Sequence, residues 1–261
     1  MKATLATWGR SIAIGLVSAG LQTGVVAAKD RLQEEFHQTY PLTADGELRL
    51  DNVNGKVQIT AWDRAEIKVD AIKRAETQEN LDAVKIEIDS KSDRIRIHTK
   101  YPDAKSGWRG KSNSASVDYE IKVPAQARME DVQCVNGSLE IEGVHGAVHA
   151  STVNGRLGVK GLAADADLAS VNGTVEAAFD QLEGVKSVAL KTVNGKVELT
   201  LPANADADVS AHTVNGGIHT DHDLTVKKNW PLGSELRGKL GKGGTRVKAE
   251  TVNGTIQIRR P

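Results

Sequence analysis

The tripeptide Val-Asn-Gly occurs seven times in this chain, and the residues on either side of it repeat with it. Two and four positions after each Gly the residues are almost all apolar, while those between are polar or small. This period of two is typical of a half-buried β-strand, and a matching pattern precedes each Asn. Each unit is therefore predicted to be a strand, an Asn-Gly turn and a second strand. The seven predicted turns are Asn54-Gly55, Asn136-Gly137, Asn154-Gly155, Asn172-Gly173, Asn194-Gly195, Asn215-Gly216 and Asn253-Gly254.

The spacing of these turns indicates how the strands are arranged. Asn and Gly adopt positive φ at low steric cost, so Asn-Gly is a strong signal for chain reversal. From Gly137 onward, successive turns are 18, 18, 22, 21 and 38 residues apart. A nearly fixed period of this size is typical of repeat proteins, in which each unit buries its apolar face against its neighbours. We predict an all-β fold, a single-chain β-solenoid (a flattened β-helix or β-roll) in which each period forms one rung across two facing sheets.

An antiparallel β meander or sandwich of hairpins is the alternative fold. Both folds place the same residues inward, so the alternation along each strand does not separate them. The constant residue type at each position of the unit favours the solenoid, because rungs stacked in parallel register place like residues in columns.

The first 28 residues have the pattern of a secretory signal peptide. Lys2 and Arg10 precede an apolar run from Ile12 to Val26, and small residues follow it. This arrangement predicts cleavage after Ala27 or Ala28 and export to the periplasm or cell surface. An uncleaved membrane anchor is the alternative, although the apolar run is short for a membrane span. After cleavage the chain is not expected to be an integral membrane protein.

The remainder is predicted to contain two parts. Residues 29–116 alternate as strands without the tight period, which predicts an N-terminal β module that caps the solenoid and ends in a polar loop, 103–116. Residues 117–261 contain six of the seven repeats and a long loop, 220–250, which is read as an excursion or as one degenerate rung. The final strand, within 255–261, is expected at an exposed sheet edge, where its basic residues and Pro261 would prevent further pairing.

Charge and residue types narrow the function classes. Lys and Arg together number 34, as do Asp and Glu, so no positive surplus is available for phosphates and nucleic-acid binding is not expected. Cys134 stands in a column otherwise filled mostly by Thr and Ser, which predicts a small buried side chain rather than a catalytic thiol. His212 and His219 flank one turn and could form a surface metal site, but solvated histidines are the simpler interpretation. We therefore expect no catalytic residues, no metal and no cofactor.

Two tryptophans are candidate interaction residues. Trp108 and Trp230 both fall in predicted loops, where an exposed aromatic side chain often marks a binding surface. The alternative is that each ring folds back onto the side of the solenoid.

Three stretches together carry a family resemblance. They are residues 51–64, the strand 119–124 that precedes the regular repeats, and the Thr-Val-Asn-Gly array. They resemble a bacterial family of β-strand-repeat proteins called "putative adhesins", a family of unknown function, over about residues 48–260. The resemblance implies an exported β-repeat protein without catalytic residues.

We therefore expect a non-enzymatic protein that offers an adhesin-like interaction surface to an envelope protein or glycan. The alternative is a solenoid that binds a ligand, or acts on a carbohydrate, in a side groove.

Overall fold

A computed structural model describes residues 31–101, 115–228 and 233–261. Within these ranges the chain forms β-strands and one short helix, and residues from Arg31 onward belong to one compact unit. The elements before the regular repeats are β1 (Leu32–Pro41), β2 (Glu47–Asn54), β3 (Val57–Trp62), β4 (Glu66–Ala75), α1 (Gln78–Ala83), β5 (Lys85–Lys91), β6 (Arg94–Lys100) and β7 (Ser116–Pro124). The predicted signal peptide, 1–28, lies outside the described residues.

The repeats then follow as pairs of strands joined at Asn-Gly corners. The pairs are β8 (Arg128–Asn136) with β9 (Leu139–Glu142), β10 (Val148–Asn154) with β11 (Leu157–Leu162), β12 (Ala166–Asn172) with β13 (Val175–Phe179), β14 (Ser187–Asn194) with β15 (Val197–Thr200), and β16 (Ala207–Asn215) with β17 (Ile218–Thr220). Two strands intervene, β18 (Val226–Lys228) and β19 (Ser234–Leu240), before the last pair, β20 (Thr245–Asn253) and β21 (Ile256–Arg259).

The two strands of each rung belong to different sheets. The first sheet has the order β1-β4-β7-β3-β9-β11-β13-β15-β21-β17, and the second has the order β18-β19-β16-β20-β14-β12-β10-β8-β2-β6-β5. Neighbouring rungs pair in parallel with like residues opposite one another, as where Asn154 pairs with Asn172 and Asn172 with Asn194. The predicted β-solenoid is therefore confirmed, and the hairpin meander is wrong because hairpins would make the rung strands antiparallel.

The core lies between the two sheets and consists mainly of aliphatic side chains. In β14, for example, Val188 and Leu190 are fully buried, and they face the interior from the opposite side to Val197 and Leu199 of β15. Each such side chain contributes about 1.5–3 kcal/mol when it leaves water. Because each rung buries the same columns, the interior forms continuous ladders along the stack.

The order of rungs in space departs from their order in the chain. The β20–β21 rung lies between the β14–β15 rung and the β16–β17 rung, and it is paired on both sides. The expectation that the final strand lies at an exposed edge is wrong, because β21 pairs with β15 and with β17. Gly216 and Gly254 are 38 positions apart, which gives the chain enough length to return past β16. Within the described part of 220–250, β18 and β19 are an antiparallel extension of the second sheet rather than a degenerate rung.

A similar reversal occurs at the other end. β6 pairs in parallel with β2, and β7 with β3, so a rung formed from later residues covers the first Asn-Gly rung. Antiparallel strands β1, β4 and β5 then close this end. The helix α1 is capped by Thr77, whose side chain accepts a hydrogen bond from the backbone N–H of Asn80, and it buries Leu81.

Candidate interaction surface

The seven asparagines of the turns form one hydrogen-bonded column, the Asn ladder. In each step the side-chain Nδ2 of one Asn donates to the Oδ1 of its neighbour. In spatial order the ladder is Asn54, Asn136, Asn154, Asn172, Asn194, Asn253 and Asn215, with N···O distances of 2.9, 2.8, 2.9, 2.9, 2.7 and 2.8 Å. Asn54 begins the ladder and donates to the backbone carbonyl of Ala115 at 3.3 Å. Each side-chain amide is therefore held in one orientation by its hydrogen bonds to the Asn side chains of neighbouring rungs.

The glycine of each turn is needed for close backbone approach. A Cβ built on Gly173 would lie 1.8 Å from the carbonyl oxygen of Gly155, and one on Gly254 would lie 1.7 Å from that of Gly195. The asparagines do not supply left-handed backbone, because no described residue other than Gly has a positive φ. The conformational argument for Asn in the sequence analysis was therefore wrong. Asn is suited to this position because its amide can both donate and accept along the stack.

A column of small polar side chains lies directly beneath the turns. The hydroxyls of Thr192, Thr213 and Thr251 donate to glycine carbonyls of the adjacent rungs at 3.2, 3.1 and 3.3 Å. Cys134 takes the same place, with its Sγ 3.4 Å from the carbonyl oxygen of Gly55. Burial raises the pKa of the Cys134 thiol to about 11, so it stays protonated near neutral pH. This thiol is suited to packing and not to nucleophilic attack.

The valine that precedes each asparagine points outward, and the seven valines form the Val ridge. Their spatial order is Val53, Val135, Val153, Val171, Val193, Val252 and Val214. All except the half-buried Val135 are 36–42% exposed. Since neighbouring strands lie about 4.8 Å apart, six steps give the ridge a length of about 29 Å. An apolar line of this regularity on a solvent-facing corner is not required by the core.

The surface on the other side of the Asn ladder is charged but balanced. Lys56 pairs with Glu140 of the next rung at 3.5 Å, and Lys196 pairs with Glu198 within its own rung. Arg156 likewise pairs with Glu176. The corner therefore presents a neutral apolar and amide strip bordered by compensated charges.

A second feature is an open depression of about 460 Å³ on the outer face of the first sheet, the charged depression. Its lining comes from β1, β4, β7, β3 and the turn before β3, and it comprises Glu35, His37, Lys56, Gln58, Lys68, Asp70, Ile72, Arg74, Asp118, Tyr119 and Glu120. Sequence analysis missed it because residues 31–41 carry no repeat signature, so nothing placed β1 beside β4.

Asp70 is the centre of the hydrogen bonding in this depression. Its Oδ1 lies 2.7 Å from Nδ1 of His37, and its Oδ2 accepts from Nζ of Lys68 at 2.7 Å. The hydrogen bond to Asp70, and then that to Glu35, raise the pKa of His37. Partial burial acts to raise the pKa of Asp70, but hydrogen bonds from Lys68 and His37 together outweigh it and lower that pKa. Arg74 pairs with Asp118, so most charges here are compensated.

His212 and His219 lie on strands of different sheets, β16 and β17, and both are exposed. Across the described ranges there is no group of three or more His, Cys, Asp or Glu side chains suited to holding a metal ion. Trp108 and Trp230 lie outside the described residues, so their interaction role remains a prediction. No helix in the described part of the chain has the length and apolar character needed to cross a membrane.

Residues 118–259 match the protein family described as Toastrack DUF4097, which is more than half of the chain. The chain belongs to this Toastrack family. The resemblance to adhesin-like β-repeat proteins of unknown function is thereby confirmed. No functionally curated protein matches the chain.

Solved structures that the chain matches come from several bacteria. A "putative cell adhesion protein" from Clostridium sporogenes has 14% identity and a TM-score of 0.48, with 87% of this chain and 100% of that chain covered. A "putative adhesin" from Bacteroides fragilis has 11% identity and a TM-score of 0.36, with 87% and 97% covered. A "putative lipid binding protein" from Parabacteroides distasonis has 11% identity and a TM-score of 0.25, with 87% and 96% covered.

Proposed function

We propose that this Toastrack protein is an exported, non-enzymatic interaction protein whose Val ridge binds a protein partner in the cell envelope. The observation that carries the proposal is the ridge itself, in which six exposed valines and one half-buried valine are aligned beside the Asn ladder. Apolar patches that the core does not require commonly mark interaction sites on soluble proteins.

The geometry of the ridge favours a polypeptide as the partner. Its repeat of about 4.8 Å is the spacing between β-strands, so a partner that presents side chains from neighbouring strands can match it over several rungs. The Asn ladder and the glycine contacts hold the ridge rigid before binding, which lowers the entropy lost on association. Exposed amide edges beside the valines add hydrogen-bonding capacity at the rim.

Export is supported by the pattern of residues 1–28, with its basic start, apolar run and terminal alanines. Fractionation of cells that produce the full chain, followed by N-terminal sequencing of the mature protein, tests this part. We expect a periplasmic or surface fraction whose N-terminus begins directly after Ala27 or Ala28. Recovery of uncleaved chain in the cytoplasm would contradict export.

The ridge is tested by crosslinking in intact envelopes with three adjacent rungs altered together, Val171→Ser, Val193→Ser and Val252→Ser. The matched control is Leu32→Ser, because Leu32 is 41% exposed but lies on β1, away from the ridge. We expect a protease-sensitive crosslinked partner with wild type and with the control, and its loss with the triple variant. Equal crosslinking by all three proteins, or a partner that only glycan-degrading treatment removes, would overturn the assignment of a protein to the ridge.

A second candidate function is ligand binding in the charged depression. Its paired carboxylates and cations around Ile72 offer both donors and acceptors to a hydroxyl-rich ligand such as a glycan. Both oxygens of Asp70 are already engaged, so binding is better supported than general-base catalysis. Titration of envelope oligosaccharides into wild type and Asp70→Asn, followed by amide chemical shifts of β1 and β4, tests it. Shifts that are absent, or that lie outside these strands, would rule it out.

A further inference from the structure

The seven chemically identical Asn-Gly turns differ in what holds the glycine N–H. In six of them this N–H donates to the backbone carbonyl of an Asn in the adjacent rung at 2.9–3.0 Å; the six donors are Gly55, Gly137, Gly155, Gly173, Gly195 and Gly254. Gly216 is the exception, since its N–H has no acceptor among the residues that the structure describes. The β16–β17 rung is the last of the parallel stack, so no further Asn carbonyl lies beyond it.

Two other properties set the same turn apart. Gly216 is exposed, whereas the other six glycines are only half exposed or less. The Oδ1 of Asn215 accepts no hydrogen bond from another Asn of the ladder, whereas the Oδ1 atoms of the other six each accept one. The Asn54 end of the ladder is different, because the Gly55 N–H and both polar atoms of the Asn54 side chain are engaged.

These differences matter for deamidation, a reaction to which Asn-Gly sequences are inherently prone. The backbone nitrogen of the glycine loses its proton and attacks Cγ of the preceding Asn. The N–Cγ bond forms, the Cγ–Nδ2 bond breaks, and ammonia leaves with the proton that it takes up, which gives a five-membered succinimide. Water then opens the ring to aspartate or isoaspartate. No oxidant, reductant or other protein is required.

We propose that Asn215 is the site of spontaneous deamidation in this protein, and that the stack protects the other six turns. Where the glycine N–H is hydrogen-bonded to the next rung, its deprotonation and its movement toward Cγ both require the rung to open. Where Oδ1 accepts from the neighbouring amide, rotation of the Asn side chain also breaks a ladder bond. Of these two constraints Asn215 has neither, and the one ladder bond of its side chain is the donation to Asn253 at 2.8 Å.

The product changes the end of the ladder in a defined way. An aspartate at position 215 has no amide to donate, and it places a carboxylate against the Oδ1 of Asn253. An isoaspartate also lengthens the backbone between β16 and β17 by one bond. Both products weaken the terminal rung without affecting the rungs beyond β20 and β21.

The test uses the seven turns as controls for one another. Full-length mature protein is incubated in mildly alkaline buffer, folded or in concentrated urea, and deamidation at each Asn is followed by peptide mapping. In urea we expect similar rates at all seven sites, because each has the same Val-Asn-Gly sequence. In the folded protein we expect Asn215 to react at close to its rate in urea and the others to react at least about tenfold more slowly, because local opening must precede the reaction.

Two variants and one independent measurement complete the design. Asn215→Gln should remove the early modification, because the six-membered ring that Gln would form closes far more slowly, while Asn54→Gln at the opposite end should leave it unchanged. Amide hydrogen exchange should show Gly216 exchanging much faster than the other six glycines. Equal rates at all seven sites in the folded protein, a different leading site, or protection of Gly216 like that of its counterparts would each overturn the proposal.

Discussion

The side chain of Asn253 donates to Oδ1 of Asn194 at 2.7 Å, although the Asn215 turn lies between these two residues in the sequence. Asn215 in turn donates to Asn253, so the last turn of the chain is an interior step of the ladder. The rung of Asn215 therefore makes no strand pair with the rung of Asn194, and it depends on β20 and β21 for its place in both sheets. The interior and terminal steps of the ladder can be compared directly by mutation.

Replacing Asn194 with Ala should destabilise the protein more than replacing Asn215 with Ala. Asn194 takes part in two ladder hydrogen bonds and Asn215 in one, and each contributes about 0.5–1.5 kcal/mol. We expect losses of about 1–3 kcal/mol for Asn194→Ala and about half of that for Asn215→Ala, measured by urea unfolding. Equal losses would mean that the ladder contributes little beyond local turn structure.

Gly173→Ala should be among the most damaging single substitutions. The added Cβ would meet the carbonyl oxygen of Gly155 at 1.8 Å, so the two rungs must separate. We expect a loss of more than about 4 kcal/mol or failure to fold, as for other severe steric overlaps. Gly158→Ala is the matched control, because the nearest atom to its Cβ is Nε of the Arg156 side chain, at an ordinary contact distance of 3.8 Å. A loss of stability beyond about 0.5 kcal/mol in this control would contradict the steric explanation.

Cys134 should react with thiol reagents only when the protein unfolds. Its side chain is buried, and burial raises the pKa of the thiol to about 11 from an ordinary value near 9. A raised pKa of this kind contributes stability that is fully present below the ordinary pKa and is lost as pH rises through the folded-state pKa. Cys134→Thr should therefore flatten the decline of stability at alkaline pH while keeping a donor for the Gly55 carbonyl. Rapid labelling of the native protein near neutral pH would contradict this account.

His37 should make the attachment of β1 dependent on pH. Its folded-state pKa is raised above 6.5 by Asp70 and Glu35, so its contribution is fully present below pH 6.5 and is lost as pH rises through the folded-state value. Amide hydrogen exchange of β1, measured between about pH 5 and pH 8, should show protection that falls with increasing pH after correction for intrinsic rates. His37→Gln should remove that fall, whereas His98→Gln, on β6 of the other sheet, should retain it. An unchanged profile in His37→Gln would assign the effect to another group.

How far the sequence predicts this structure depends on whether the information is local or lies between distant residues. The alternation around Val57 and Val197 identifies inward positions, and the constant columns identify parallel stacking, because both follow from strand geometry. The insertion of β21 between β15 and β17 leaves no local trace, since all rungs present equivalent surfaces to their neighbours. The charged depression was missed for a related reason, because His37 and Asp70 meet only through the pairing of β1 with β4.

The role of the asparagines was also beyond local reasoning. A single Asn-Gly pair indicates a reversal, and that indication does not distinguish backbone preference from side-chain bonding. Only the parallel register brings Asn154 within 2.8 Å of Asn136. The outward position of these apolar valines could be predicted from the sequence. Each valine directly follows an inward-facing position of a strand in which orientation alternates from one residue to the next.

The uniform direction of the Asn ladder gives the molecule an electrical axis. Every side-chain Nδ2 points toward the Asn54 end and every Oδ1 toward the Asn215 end, so the amide dipoles add instead of cancelling. One tip of the stack consequently carries partial positive charge and the other partial negative charge, even though the formal charges of the chain balance. For two such molecules lying side by side, this property alone gives parallel and antiparallel alignments different electrostatic energies.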